Sequence, residues 1–391
     1  MMVFKVLFSL CVFLLSLGQI ASISKQGFTN LYLFDFALAL FVLYGIYFFV
    51  IIKKSLVLPS IFIIFAAFSF IALLSLFRVS YLYNNEDLLV SFLYFVRWTL
   101  YLFVGLITFN LLHHKILTKE FLINNFIYSG VFISLVGLIQ LFVFPDLSIV
   151  DKSLGWDPHK NRLFSTFLDP NFVGAYFNII LVFLFDKYYS KQKFTFFDTL
   201  ATFILLVSLI LTFSRSAWLM LAVIIFIYGV FKSKLLLVTF LIVCFAAYFA
   251  IPRIQTRLSG VTDPSDSAHF RLISWSNTLN IAQDNLFLGV GFNTFRFAQK
   301  EYGLVSYDNY LSHGASGSDS SLLFVLATTG IFGIMTFLGG FVYVFFNTKS
   351  VFFKALFGSL LLESFFINSL FYPQILFIWI ILIISYSLLD K

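Results

Sequence analysis

Charge is what this 391-residue chain has least of: Asp, Glu, Lys and Arg together make up 11% of it, where ~25% is ordinary for a soluble domain. That deficit excludes a soluble fold. The chain is 61% apolar, contains 57 Phe, and has a mean hydropathy of +0.99. Cysteine is almost missing. Cys11 and Cys244 both lie in apolar segments and offer neither a disulfide framework nor a metal cluster. Strict apolar/polar alternation is also missing, which excludes an outer-membrane barrel. What remains is an all-α polytopic membrane protein. Its net charge of +7 is then a topology signal and not a nucleic-acid footprint.

The absent motifs narrow the chemistry. There is no Asp-x-Asp, so the usual diphosphate–metal clamp of many glycosyltransferases is missing, and the first outer loop, 24–30, has no carboxylate. No Walker A sequence and no His-Glu-x-x-His occur. Asp157, His159, Asp263, Asp266 and His269 lack metal-ligand spacing, so neither metal nor cofactor is expected. Asp35 and Glu363 are the intramembrane carboxylates, which is thin for an ion-coupled transporter. No internal repeat is evident, against the inverted-repeat transporter plans.

Long apolar runs are what the chain does have. Segments near 6–23, 31–52, 56–77, 88–112, 121–144, 171–189, 196–213, 217–231, 235–251, 319–346, 351–370 and 374–389 predict about twelve membrane helices. The run 319–346 is too long for one straight span, and Gly330 or the Gly339-Gly340 pair is expected to break it. Lys5 and the run ending at Ala21-Ser22 are compatible with a signal peptide, but a retained first helix is preferred.

With the N-terminus inside, the cytoplasmic loops hold Lys53, Lys54, Lys115, Lys119, Lys187, Lys191, Lys193, Lys232, Lys234, Lys349 and Lys354, and no arginine. Every arginine falls on the other face or within the membrane: Arg78, Arg97, Arg162, Arg215, Arg253, Arg257, Arg271 and Arg296. Lys and Arg serve the positive-inside rule equally. Only Arg carries a planar fork of donors that grips phosphate bidentately. The bias places both termini in the cytoplasm. Two outer loops are large, 145–170 and 252–317. The chain divides into N-terminal helices, 1–144, and a C-terminal region, 145–391, that holds the long extracytoplasmic loop subdomain.

Candidate residues cluster on that outer side. Arg215, in Ser214-Arg215-Ser216-Ala217-Trp218, sits between two spans with almost no loop. It either snorkels to headgroups or meets an anion, and the second reading is preferred because ionisable groups at membrane depth are expensive. Arg162 precedes Phe164-Ser165-Thr166-Phe167-Leu168-Asp169-Pro170-Asn171, where Asp169 and Pro170 suit the start of a helix. Arg271 lies on a helical stretch from His269 to Asn285, with Phe270, Ile273, Leu279 and Ile281 as candidate buried positions and Trp275 as an interfacial anchor. Leu288-Gly289-Val290-Gly291 is a turn or tight-packing signal. His313, amid small residues, is a candidate general base. Asp319 either orients it or caps the next helix. Arg97 either pairs with Glu363 or supports the substrate cavity.

Taken in order, four of these stretches resemble the O-antigen ligase and O-antigen polymerase superfamily of bacterial membrane glycosyltransferases. They are Arg162 to Asn171; Ser214 to Trp218; Arg271 to Trp275 with Asn285-Leu286-Phe287-Leu288-Gly289-Val290-Gly291; and Ser312-His313 leading into Ser321-Leu322 and Thr329-Gly330-Ile331-Phe332-Gly333. The resemblance implies a GT-C-like fold and a metal-independent enzyme using a polyprenyl-diphosphate-linked glycan. It also implies that Arg162, Arg215 and Arg271 hold the donor diphosphate and that His313 acts at the acceptor. The chain departs from the pattern in a Ser- and Gly-rich 312–320 segment and in the lack of Pro after Asp284-Asn285.

The residues fit that chemistry without the resemblance. Charge grows on a departing diphosphate as the sugar–oxygen bond breaks, and fixed arginines can meet it in a low-dielectric site. Attack opposite the leaving group would invert the anomeric centre. The expected partners are the lipid-linked donor, a glycan or lipid-core acceptor, and membrane lipids. The expected location is the bacterial inner membrane, with the site facing outward. Protein O-oligosaccharyltransferase activity, or a transporter or flippase of lipid-linked glycans, stands as the alternative.

Overall fold

The computed structural model describes residues 2–23, 30–149, 159–259, 267–305 and 313–390, except for the side chains of His313 and Gly314. The chain is 79% helical. The helices are α1 (Met2–Ser16), α2 (Leu33–Ile46, continued by wider turns Tyr47–Ile52), α3 (Ser60–Arg78), α4 (Asn85–His113) and α5 (Lys119–Val143). They continue with α6 (Pro170–Tyr189), α7 (Phe196–Leu211), α8 (Arg215–Phe231), α9 (Lys234–Ala250), α10 (Pro252–Ser259), α11 (Ser267–Asp284) and α12 (Phe295–Glu301). The last are α13 (Ser321–Asn347), α14 (Val351–Glu363), α15 (Pro373–Ile384) and α16 (Tyr386–Leu389). One two-stranded ribbon, Ser22–Ile23 with Leu31–Tyr32, is antiparallel.

Each apolar segment read from the sequence contains a helix. Among the described residues six helices are long and apolar enough to cross a membrane, or seven if the bent pair α9–α10 is one span. This is a polytopic all-α membrane protein. α15 is apolar except for its first turn and buried on every side from Gln374 to Ile384, as a helix without a polar face must be. Around it pack α4, α6 and α3, with α13 against α3 and α14 against α8. Trp379 of α15 sits 5.2 Å from the Phe341 ring, 5.7 Å from Phe65 and 6.3 Å from Trp98. In lipid, where apolar burial gives little driving force between helices, such packing is what holds them together.

Lysines and arginines are unevenly divided between the two helix ends. At one end Lys187 pairs with Asp198 at 2.7 Å, Lys119 donates to the Leu389 carbonyl at 2.6 Å, and Lys354 lies over the Phe231 ring. The other end carries residues 144–149 and 159–170, α10 to α12 and the α14–α15 link, with most of the arginines, Lys160 and Lys300 among them.

α13 breaks at Gly330 (φ 67°, ψ −167°), the first of the two positions the sequence offered. The stretch Leu286–Gly291 lies against the break. Ile331 N–H donates to the Leu286 carbonyl at 2.7 Å, Val290 N–H to Ala327 at 2.9 Å and Gly291 N–H to Thr328 at 3.1 Å. Irregular backbone at membrane depth is tolerated when protein groups satisfy it in this way. Arg78 completes the seam by donating to the Gly289 carbonyl at 3.2 Å.

Arg97 pairs with Asp35 at 2.9 Å, not with Glu363. It also bonds the Asn30 carbonyl and lies 5.3 Å from the ring centroids of Tyr32 and Tyr94. A polar chain continues from there. Tyr32 Oη donates to Gln19 Oε1 (3.0 Å), Gln19 Nε2 to Tyr372 Oη (3.2 Å), and Tyr372 Oη to the Phe167 carbonyl (3.1 Å). The N-terminal helices thereby hold the Phe164–Asp169 stretch in place.

Candidate active site

Asp169 caps α6 as its sequence implied. Its Oδ1 accepts from Asn171 N–H at 2.6 Å and Phe172 N–H at 3.4 Å, with Pro170 at the first helical position. The loop before it is pinned by Gln140, whose Oε1 accepts from Phe164 and Ser165 N–H. Arg162 is therefore buried in a fixed place. Its Nε donates to the Thr212 carbonyl at 2.8 Å, Nη2 to Asn171 Oδ1 at 3.3 Å, and Nη1 lies 3.4 Å from His159 Nδ1.

Asn171 Oδ1 also accepts from Ser214 Oγ at 2.8 Å, which ties the Arg162 loop to the α7–α8 turn. That turn runs through Phe213 at φ 48°, and Ser214 caps α8. Arg215 is then the first residue of α8, where the helix dipole disfavours a cation. It is held by an outside partner at each terminal nitrogen: Nη1 donates to the Arg257 carbonyl at 3.1 Å and Nη2 to Ser267 Oγ at 3.0 Å.

Arg271 projects from α11. Among the described residues no hydrogen bond or ion pair reaches its guanidinium, yet its charge acts on both Arg162 and Glu363. α11 is clamped to the start of α13 by Trp275 Nε1 to the Asp319 carbonyl (3.4 Å), Asp319 N–H to Ser274 Oγ (3.0 Å) and Thr278 Oγ1 to Ser318 Oγ (2.9 Å). Of the four apolar positions expected to be buried on this helix, only Ile281 is. Phe270, Ile273 and Leu279 are 58%, 45% and 40% exposed. α11 packs along one edge on α13, leaving the rest of its apolar side outward.

His313 opens the short turn His313–Ser316, and its side chain lies outside the described residues. Gln299 of α12 anchors the turn through the Ala315 carbonyl at 2.9 Å. Asp319 does not cap α13; Ser320 does, accepting from Leu323 N–H at 3.3 Å.

The surroundings of Glu363 and of the α10 arginines were not legible in the sequence. Glu363, which ends α14, is fully buried, accepts from the Ser369 hydroxyl, and has Arg271 and Asp169 as its charged neighbours. The signal for it was weak, because a carboxylate at the end of an apolar run does not say which cation it meets. Arg253 and Arg257 of α10 were on the expected face but had no role. Arg253 donates to the Lys160 carbonyl at 2.9 Å and lies 4.1 Å over the Phe213 ring.

The electrostatics of the cluster are unbalanced. Burial, and then the Arg257 charge, pull the Arg162 guanidinium down to about 9. Arg253 and Arg271 add to that pull, and Asp169 opposes it. Like charges ~8 Å apart at an effective dielectric of about 20 repel by about 2 kcal/mol. An anion among these arginines would relieve that cost. Among the described residues no group of three His, Cys, Asp or Glu is placed to hold a metal ion.

Residues 200–338 match the protein-family profile described as O-Antigen ligase. That match supports membership of the O-antigen ligase superfamily. No curated protein is significantly similar to it in sequence. The matched stretch runs from α7 into α13 and contains Arg215, Arg271, His313 and Asp319. Arg162 precedes it and Glu363 follows it, and folding carries both to the same end of the bundle. Membership of this superfamily points to ligase- or polymerase-type activity on O-antigen-like polysaccharide in the membrane.

Proposed function

We propose that this protein transfers a glycan from a polyprenyl-diphosphate carrier to an acceptor hydroxyl at the outer face of the inner membrane, as an O-antigen ligase or a surface-polysaccharide polymerase. The observation that supports this reading is that Arg162 and the Arg215 turn are joined through Asn171 and Ser214, while the Arg271 charge acts on Arg162, at the end of the bundle that carries α10 to α12. In the proposed orientation the lysine end is cytoplasmic, with both termini there. The helices form a GT-C-like bundle of about twelve spans, with residues 145–391 as the catalytic region.

In the reaction the acceptor oxygen attacks the anomeric carbon from the side opposite the diphosphate, forming a new C–O bond with inversion. The electron pair of the broken C1–O bond stays on the diphosphate, where the arginines meet the growing charge without a divalent metal. The acceptor proton passes to His313 as general base. A bidentate guanidinium fork suits phosphate oxygens better than an ammonium does, which is the chemical sense of having arginine only at this end. A flippase of the same lipid would need cations along both leaflets, and the lysine end offers Lys187 ion-paired to Asp198, Lys119 held by a backbone carbonyl, and no arginine.

His313→Ala should lower transfer in purified membranes about a hundredfold, leave the protein in the membrane, and do so equally with EDTA present. Normal transfer by the variant would remove the general-base assignment, and wild-type activity lost to EDTA would remove the metal-free one. Mass spectrometry of the lipid-linked glycan in a deletion strain separates the acceptors. Full-length polymer left on the carrier identifies a ligase, and a single repeat unit identifies a polymerase.

A further inference from the structure

α9 buries none of its residues and lies along α8. Its exposed apolar surface, including Leu241, Phe245 and Phe249, belongs against lipid. At Ile251–Pro252 the chain turns by 97° into α10; proline at a first helical position makes such an abrupt start possible. α10 then crosses toward the arginine cluster, where it contacts neighbours of the donor arginines. Arg253 bonds the carbonyl of Lys160, two residues before Arg162, and covers Phe213, two before Arg215. The carbonyl of Arg257 accepts from Arg215 itself. Arg253 and Arg257, four residues apart, share one face of α10, and Arg257 is the charge that acts most strongly on Arg162.

A diphosphate joined to a lipid has two unlike ends. One phosphate carries the sugar, and the other carries the chain that must run into the bilayer. The second has to sit where apolar surface begins, and α10 is the cationic element continuous with such a surface. We propose that Arg253 and Arg257 bind the lipid-side phosphate of the carrier, while Arg162, Arg215 and Arg271 bind the sugar-side phosphate, the one that leaves with the bond electrons. This rests on the donor reading above and adds to it a division of labour between the two phosphates. It also gives the α9–α10 bend a purpose: the lipid chain follows α9 down while its headgroup is turned into the site.

The probes are geranylgeranyl diphosphate, geranylgeranyl monophosphate and geranylgeraniol, with binding to the full-length protein measured in lipid nanodiscs. Arg257→Gln, and independently Arg253→Gln, should weaken both phosphorylated lipids about tenfold, because both present a lipid-side phosphate. Arg257→Lys should recover part of the loss. Arg162→Gln should weaken the diphosphate and leave the monophosphate within about twofold. Monophosphate binding untouched in folded α10 variants, or lost equally in Arg162→Gln, overturns the assignment. Wild-type protein that binds the diphosphate no better than the alcohol defeats the donor reading itself, and that outcome needs no variant to be seen. Thermal unfolding of each variant identifies any that fail to fold; the two α10 substitutions lie at different contacts, so one remains if the other is lost.

Discussion

Arg162→Gln is expected to lower kcat/KM for the lipid-linked donor about a thousandfold, about 4 kcal/mol of transition-state stabilisation, while leaving the anion-free protein as stable as the wild type to within about 1 kcal/mol. The two halves of this result have one cause. The guanidinium is buried among cations: burial and Arg257 act against its charge, and Arg253 and Arg271 add to them. Removing it loses the bonds to the Thr212 carbonyl and Asn171 Oδ1, but it also removes a buried cation repelled by its neighbours. Those terms offset one another when no anion is present. With a phosphate in place they act together, because the anion turns repulsion into attraction. Inorganic pyrophosphate should therefore raise the thermal unfolding midpoint of the wild type, and raise that of the variant much less. A variant that melts far below the wild type without pyrophosphate would make Arg162 a structural residue and end its role as a donor ligand.

The difference between what the sequence told and what folding added is visible in these arginines. That most of them gather toward one end of the helices was legible, because span length and cation placement are properties of local sequence. The cap at Asp169 was legible for the same reason. Which of them meet was not. Arg162 and Arg215 are joined through Asn171 and Ser214, and Arg215 reaches α10 and α11 through Arg257 and Ser267. No spacing rule encodes such contacts between distant stretches. Arg97 makes the same point from the other direction. Its partner is Asp35 on a neighbouring N-terminal helix, where the sequence suggested Glu363 or the substrate cavity. The N-terminal helices themselves read as plain spans, yet through Gln19 and Tyr372 they support the Phe167 carbonyl at the edge of the site.

Gly330→Ala is expected to cost about 4 kcal/mol, a large fraction of the ~5–15 kcal/mol that holds a typical domain folded, and to leave little folded protein in detergent. Two independent penalties add. At φ 67° and ψ −167° the backbone occupies a region that is effectively reserved for glycine, at about 1–3 kcal/mol for any other residue. A Cβ there would also stand 2.2 Å from the Phe287 carbonyl, in a seam of backbone hydrogen bonds with no room to relax, at a further ~1–3 kcal/mol. The loop on the other side of that seam leads from α11, which carries Arg271, to α12, which anchors the His313 turn. Displacing it would disturb both sides of the site at once. Gly339, nine residues on in the same helix, is the control, since a Cβ there meets nothing within 4 Å and alanine favours the helix. Gly339→Ala should unfold at or slightly above the wild-type midpoint. Equal midpoints for the two alanine variants would mean that the break at Gly330 is not what fixes the inserted loop.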